Sequence, residues 1–321
     1  MKARIQLRQA VVLSLLVCAL AAGGVYWFRS RRNAGTANLI AYLPAANASV
    51  IYIDVNAIRR VGILQALTGS KASEEPDYLQ FVRETNFDYR RDLDAVAAAL
   101  KDGRIYFALS GRFHWKDLRD YAVRQGGSCH DDFCVVAGSR PDRRISFYAL
   151  RPGVMAMAIS PDDFAAYQVT GKVSDQAAKL TLAPSREPVW ALIPAAALDR
   201  MDSLPAAAKA YVPALQGAEQ IVFSISASGS GSSGGSGGDP QLKLGVHVTC
   251  KDAAAASLLL AQLEGTTKTL RELLAHERRQ TDPADLSGVL TAGAFRRNEQ
   301  QVYGVWPIPR AFMDAITASG Y

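Results

Sequence analysis

Two apolar runs, "LDAVAAAL" from Leu93 and "RIYFALSG" from Arg104, are separated only by "KDG". Asp-Gly between two β-forming runs is a tight-turn signal, so this stretch must double back as an antiparallel hairpin. The arrangement recurs further along. "EQIVFSISA" and "QLKLGVHVTC" flank "SGSGSSGGSGGDP", a glycine-serine tract over 228–240 whose composition predicts a flexible loop between paired strands. Each hairpin follows an apolar β-rich run that passes into a helical one: "SVIYIDVNAIRRVGILQAL" from Ser49, and "PVWALIPAAALDRMDSL" from Pro188. Each is followed by a helical pattern, "KDLRDYAVRQGG" in the first half and "KDAAAASLLLAQLEG", ending at Gly265, in the second.

Both halves then close with a second strand pair and a helix. In the first, "RISFYAL" and "VMAMAIS" flank "RPG", and Ser160-Pro161-Asp162-Asp163 reads as an N-cap, a first-turn proline and acids at the positive helix end. In the second, "GVLTAGAF" and "QVYGVWPI" flank "RRNEQ" and precede "PRAFMDAI". The order is β-α-(extra)-β-β-α-β-β-α, read twice. It predicts an α+β fold of two similar repeats, 39–175 and 176–321, with mainly antiparallel sheets and helices on one face.

Ala10 to Phe28 has another character. These nineteen residues carry no formal charge, and as a helix they span about 28 Å at about 1.5 Å per residue, close to the hydrocarbon thickness of a bilayer. Tyr26, Trp27 and Phe28 stand where an aromatic belt lies, and Arg29, Arg31 and Arg32 follow. The reading is a transmembrane signal-anchor at 10–28, with a basic flank at 1–9 and a polar linker at 29–38. A cleaved signal peptide competes with it, because "ALA" at Ala19–Ala21 has the small-x-small spacing. The apolar run continues past that site, and basic residues follow, which favours the anchor. A lipoprotein reading of Cys18 fails on Val17. Basic residues balance across the span, and only the terminal amine tips the body towards the outside.

The net charge of +6 comes from this segment alone. Lys2, Arg4, Arg8, Arg29, Arg31 and Arg32 face no acid within residues 1–38, leaving thirty basic and thirty acidic residues in the body. A neutral body without basic runs excludes a nucleic-acid partner.

"SCHDDFC" (Ser128–Cys134) is the stretch with the most visible chemistry. A zinc clip needs a second pair of ligands, and His114, His130, His247 and His276 are not spaced to supply one. A thioredoxin-like motif has two residues between its cysteines, at a helix start; here there are four, and "FCVVAG" follows. With Asp131-Asp132 as a two-residue turn, His130 faces Phe133 and Cys129 faces Cys134, close enough to bridge. The reading is a Cys129–Cys134 disulfide, which persists in an oxidising compartment. Cys250 ends a strand alone and reads as buried.

Catalytic motifs are lacking. "GSSGG" at Gly231–Gly235 matches G-x-S-x-G only through composition. "TGSK" at Thr68–Lys71 and "TGKV" at Thr170–Val173 lack the upstream glycine of a phosphate loop. The pairs Glu74-Glu75, Asp131-Asp132 and Asp162-Asp163 are adjacent in sequence, so their side chains point apart. His114 and Trp115 in "GRFHW" are the residual candidates for a binding edge. "FDYRRDLD" (Phe87–Asp94) reads as a recognition loop or, more simply, a salt-bridged lead-in to the hairpin.

The anchor followed by "YLPAANASVIYIDV", "FDYRRDLDAVAAAL" and "ALSGRFHW" resembles a family of membrane-anchored bacterial proteins of the acidobacterial type, of unknown function. The resemblance implies architecture and transfers no catalytic residue. Together these readings give a single-pass inner-membrane protein with an extracytoplasmic body. It contacts membrane lipid through 10–28, takes no cofactor or metal, and serves binding or scaffolding with an envelope protein partner. The alternative is an exported or anchored hydrolase-like enzyme with a cleft between the repeats. A cytoplasmic body would leave both cysteines reduced.

Overall fold

The computed structural model describes residues 39–60, 76–138, 140, 142–170, 187–194, 197, 215, 217–228, 241–277 and 281–319. The expected anchor at 10–28 with Cys18, the linker, Thr68–Lys71, Glu74-Glu75 and the glycine-serine tract beyond Ser228 lie outside the described residues. Among the described residues no helix is long and apolar enough to cross a membrane.

The strands are β1 (Ser49–Ile53), β2 (Leu93–Lys101), β3 (Arg104–Gly111), β4 (Ser128–His130), β5 (Phe133–Ala137), β6 (Arg144–Arg151), β7 (Val154–Ser160), β8 (Val189–Pro194), β9 (Ala218–Ser228), β10 (Gln241–Cys250), β11 (Ala294–Asn298) and β12 (Gln301–Ile308). The helices are α1 (Val55–Arg60), α2 (Pro76–Thr85), α3 (Tyr89–Asp92), α4 (Trp115–Arg124), α5 (Ala253–His276), α6 (Leu286–Thr291) and α7 (Arg310–Ser319). The fold is α+β, but the strands form one sheet where several were expected. Its twelve strands run β11-β12-β10-β9-β8-β1-β2-β3-β7-β6-β5-β4, and every neighbouring pair is antiparallel.

The Asp-Gly signal resolves as a two-residue turn. Lys101 pairs with Arg104, and Asp102 and Gly103 both have positive φ, at 50° and 73°. A β-branched residue would be strained at either position. The two hairpins meet across β1 and β8, where Val50 faces Leu192 and Ile53 faces Val189.

Side chains alternate across the sheet, so the register assigns the two faces. On one face the alanines Ala97, Ala99, Ala108, Ala156 and Ala158 leave room for Tyr52, Tyr106 and Trp190, with Leu39, Ile40 and Leu43 of the preceding segment packed in the same cluster. Small residues opposite large ones let the layers interdigitate at crystal-like density. The other face carries Leu109, Phe147, Met155 and Met157 in the first half and Ile193, Ile221, Val246, Val248 and Val302 in the second. α4 lies on this face against the first group, and α5 and α6 against the second, while the helical turn at 39–41 and the 3₁₀ turn Ala165–Gln168 pack on the opposite face.

Three local expectations are corrected. Gly265 does not end its helix: α5 runs on to His276. A Cβ at Gly265 would meet nothing, and Leu263 and Thr267 continue the buried stripe on the opposite side. "GVLTA" is helical, as α6, because Asp285 caps the turn by accepting from the amides of Ser287 and Gly288. The strand there is Ala294–Asn298, turning at Glu299, whose φ is 51°. Ser160 does not begin a helix directly. Its hydroxyl accepts from the Asp162 amide, Asp162 accepts from the Phe164 amide, and a 3₁₀ turn follows over Ala165–Gln168.

Candidate ligand pocket and disulfide hairpin

Beneath α2 and α4 lies a partly open pocket of about 290 Å³. Its floor is the sheet: Leu93 on β2, Leu109 on β3, Met155 and Met157 on β7, Ile145 and Phe147 on β6, and Val136 on β5. Its roof is Phe81, Phe87, Phe113, Leu118, Tyr121 and Ala122, and no nitrogen or oxygen is exposed to the interior. Leu93 reaches this face only because the β2–β3 register shifts between Leu93 and Ala95. The extra residue turns Leu93 away from the face that Ala95 occupies.

The roof is held in two unequal ways. α4 buries Leu118 and Ala122, whereas α2 buries only Thr85. Phe81 of α2 meets Tyr121 edge-on, with centroids 5.2 Å apart, and Phe87 stacks on Phe113 at 5.3 Å. Polar contacts fasten α2 at each end. The Tyr78 hydroxyl donates to Asp88 (2.8 Å), Arg124 pairs with Glu84 (2.9 Å), and the Asn86 amide donates to Asp117 (2.9 Å). Burial, with Asp88 as acceptor, raises the Tyr78 pKa well above the usual phenol range. The Gln80 amide, with Arg124, holds Glu84 below its ordinary value. Asn86 stops the helix with φ at 54°, a left-handed position that asparagine tolerates.

"FDYRRDLD" is the salt-bridged lead-in, and through Phe87 and Leu93 it also lines the pocket. Asp88 caps α3 by accepting from the Arg90 amide. Asp92 is buried and paired with Arg91 (2.9 Å) and Arg112 (3.1 Å). The Arg91 hydrogen bond above all holds its carboxyl below the ordinary range. In "GRFHW" the pocket takes Phe113, while His114 is exposed at the start of α4 without a capping bond from its side chain. Trp115 packs on Phe113 at 5.4 Å.

Cys129 and Cys134 are disulfide-bonded, with Cα atoms 4.1 Å apart, as directly facing residues of β4 and β5. His130 faces Phe133, and Asp131 takes the left-handed turn position with φ at 51°. Cys134 is buried against Leu118 and Phe147, so the bridge supports the layer that carries the pocket. Arg119 of α4 pairs with Asp132 (3.2 Å) across the tip of this hairpin. Cys250 is a free, buried thiol whose pKa burial raises. His247 stacks on Tyr303 at 4.5 Å on the face opposite α5, and burial holds its imidazole below its usual pKa. Among the described residues no group of His, Cys, Asp and Glu could hold a metal ion.

A void in a core costs about 24 cal/mol per Å³. On that scaling an empty 290 Å³ approaches about 7 kcal/mol as an upper bound, since this pocket is partly open. Structural need alone does not call for such a space.

No family model matches the chain, and no curated protein matches it. Two crystal structures of the treponemal protein TP0453 share part of its layout. Crystal form IV is 7% identical with a TM-score of 0.42, covering 88% of this chain and 95% of that one. Crystal form III is 9% identical with a TM-score of 0.46, covering 87% and 98%. Neither likeness is close enough to carry an argument about this chain.

Proposed function

We propose that this is a single-pass membrane-anchored protein whose body stands outside the cytoplasm and acts by binding, in concert with an envelope protein partner. One observation carries the binding role: the pocket beneath α2 and α4 exposes no nitrogen or oxygen to its contents. A reaction needs polar or titratable groups converging on the reacting atoms, and such a wall offers only apolar contact. The Cys129–Cys134 bridge supports the compartment, since such bonds survive poorly in a reducing cytosol. The uncharged run at 10–28 supports the anchor. We read the body as a duplication, supported by the matching strand orders β1-β2-β3-β7-β6 and β8-β9-β10-β12-β11 on either side of the β1–β8 pairing.

Thiol trapping tests the compartment. Cells quenched in acid, alkylated and mapped by mass spectrometry should yield a linked Cys129–Cys134 peptide. Alkylation of both thiols would place the body in the cytoplasm and end the extracytoplasmic reading.

A further inference from the structure

We infer that the pocket beneath α2 and α4 holds one unbranched hydrocarbon chain, the tail of a free fatty acid or of a membrane lipid; this rests on the binding reading above. The wall sets the chemistry. A ligand with buried polar groups would exchange water for surfaces that return no hydrogen bond, whereas methylene groups lose nothing there. Enclosed apolar cavities stay dry and take apolar guests, and a wall without exposed polar atoms favours the same guests in this partly open pocket.

Shape narrows the class further. The floor extends from Leu93 on β2 to Val136 on β5, across the neighbouring strands β2-β3-β7-β6-β5. Strands lie about 4.8 Å apart, so this floor is roughly 19 Å wide. Along any one strand the lining residues stand at most two apart, Met155 with Met157 and Ile145 with Phe147, a span of about 7 Å, so the floor is elongated and suits one extended chain better than a compact ring system. The middle of the floor is Met155 and Met157, unbranched thioether side chains that adjust to a sliding chain of variable length.

Access fits the same occupant. α2 buries only Thr85, and beyond the packing of Phe81 on Tyr121 and Phe87 its fastenings are the ion pair Glu84–Arg124 and the hydrogen bonds of Tyr78 and Asn86. Such contacts reform after breaking, so a chain can be admitted by lifting α2 without unpacking the sheet.

The test uses the full chain held in a fluorinated surfactant, whose tails mix poorly with hydrocarbon. Two probes separate the sources: free cis-parinaric acid, and phosphatidylcholine vesicles with a parinaroyl tail. At least one should bind saturably and be displaced by decanoate. Met157→Trp should weaken binding at least tenfold with the disulfide intact and the melting temperature unchanged or raised. If the larger ring disturbs folding, Leu109→Phe supplies the same obstruction on a neighbouring strand. Failure of both probes to bind, equal binding by both obstructed variants, or stronger displacement by a compact aromatic than by decanoate would overturn the inference. If Cys129 and Cys134 are linked in cells and the purified protein carries a polar ligand, the binding reading survives and the hydrocarbon occupant does not.

Discussion

The same face of one sheet is covered by helices in two different ways. Over the second half, α5 and α6 close on β9, β10 and β12 with fourteen buried residues in a single cluster. Over the first half, α2 and α4 close on β3, β5, β6 and β7 with five, and a 290 Å³ pocket remains. Composition does not account for the difference, since both floors are built from aliphatic and aromatic side chains. The covering helix does. α5 is 24 residues long and buries Ala256, Leu259, Leu263 and Thr267 along one stripe, whereas α2 is ten residues long and buries one. Where the cover is short and fastened by polar links, the floor keeps space above it. One half is packed solid, and the other keeps an apolar space between helix and sheet.

Truncation gives the largest expected effect. Leu259→Ala opens a cavity in the dense layer and should cost about 3 kcal/mol, lowering the melting temperature by roughly 5 °C. Met157→Ala removes a side chain that already borders space and should cost about 1 kcal/mol. Calorimetry on both variants decides this, and equal losses would break the contrast between the halves.

The disulfide comes next. Its closed loop is short, so replacing both cysteines (Cys129→Ser with Cys134→Ser) should cost about 2 kcal/mol on the chain-entropy account. Hydrogen exchange should then rise in β5 and α4 while α5 keeps its protection. Loss of protection in α5 as well would mean that the two layers unfold as one unit.

The smallest effect is a dependence on pH. In the folded protein His247 sits below its usual pKa through burial, so the unfolded chain binds the proton more readily. That contribution to stability is complete above about pH 6.5, the unfolded value, and declines as pH falls towards the folded value. His247→Gln should flatten the melting temperature over that window, and an unchanged slope would assign the titration elsewhere.

Much of the local structure was legible in the sequence. The turn at Asp102-Gly103 and the facing of Cys129 and Cys134 follow from short-range rules, because two-residue turns fix register. α6 was misread as strand because a short apolar run such as "GVLTA" has no period that separates the two states, and only the Asp285 cap decides it. The β1–β8 pairing joins residues more than a hundred positions apart, and no local signal specifies such a contact. The pocket was hidden for the same reason. Its wall is gathered from Phe81 to Met157, and each member alone reads as core. Partial signals exist: Phe87 stands in "FDYRRDLD", Phe113 stands in "GRFHW", and "VMAMAIS" alternates alanine on one face with methionine on the other.

The β1–β8 ladder has a mechanical consequence. Proteins with two lobes commonly respond to a guest by swinging the lobes about a hinge. Here the lobes share backbone hydrogen bonds at the middle of a twelve-stranded sheet, so a swing would tear the ladder from Val50–Leu192 to Ile53–Val189. The sheet acts as a beam. Any rearrangement around the pocket must therefore be expressed in the helices resting on the sheet, through the position of α2 and not the angle between halves.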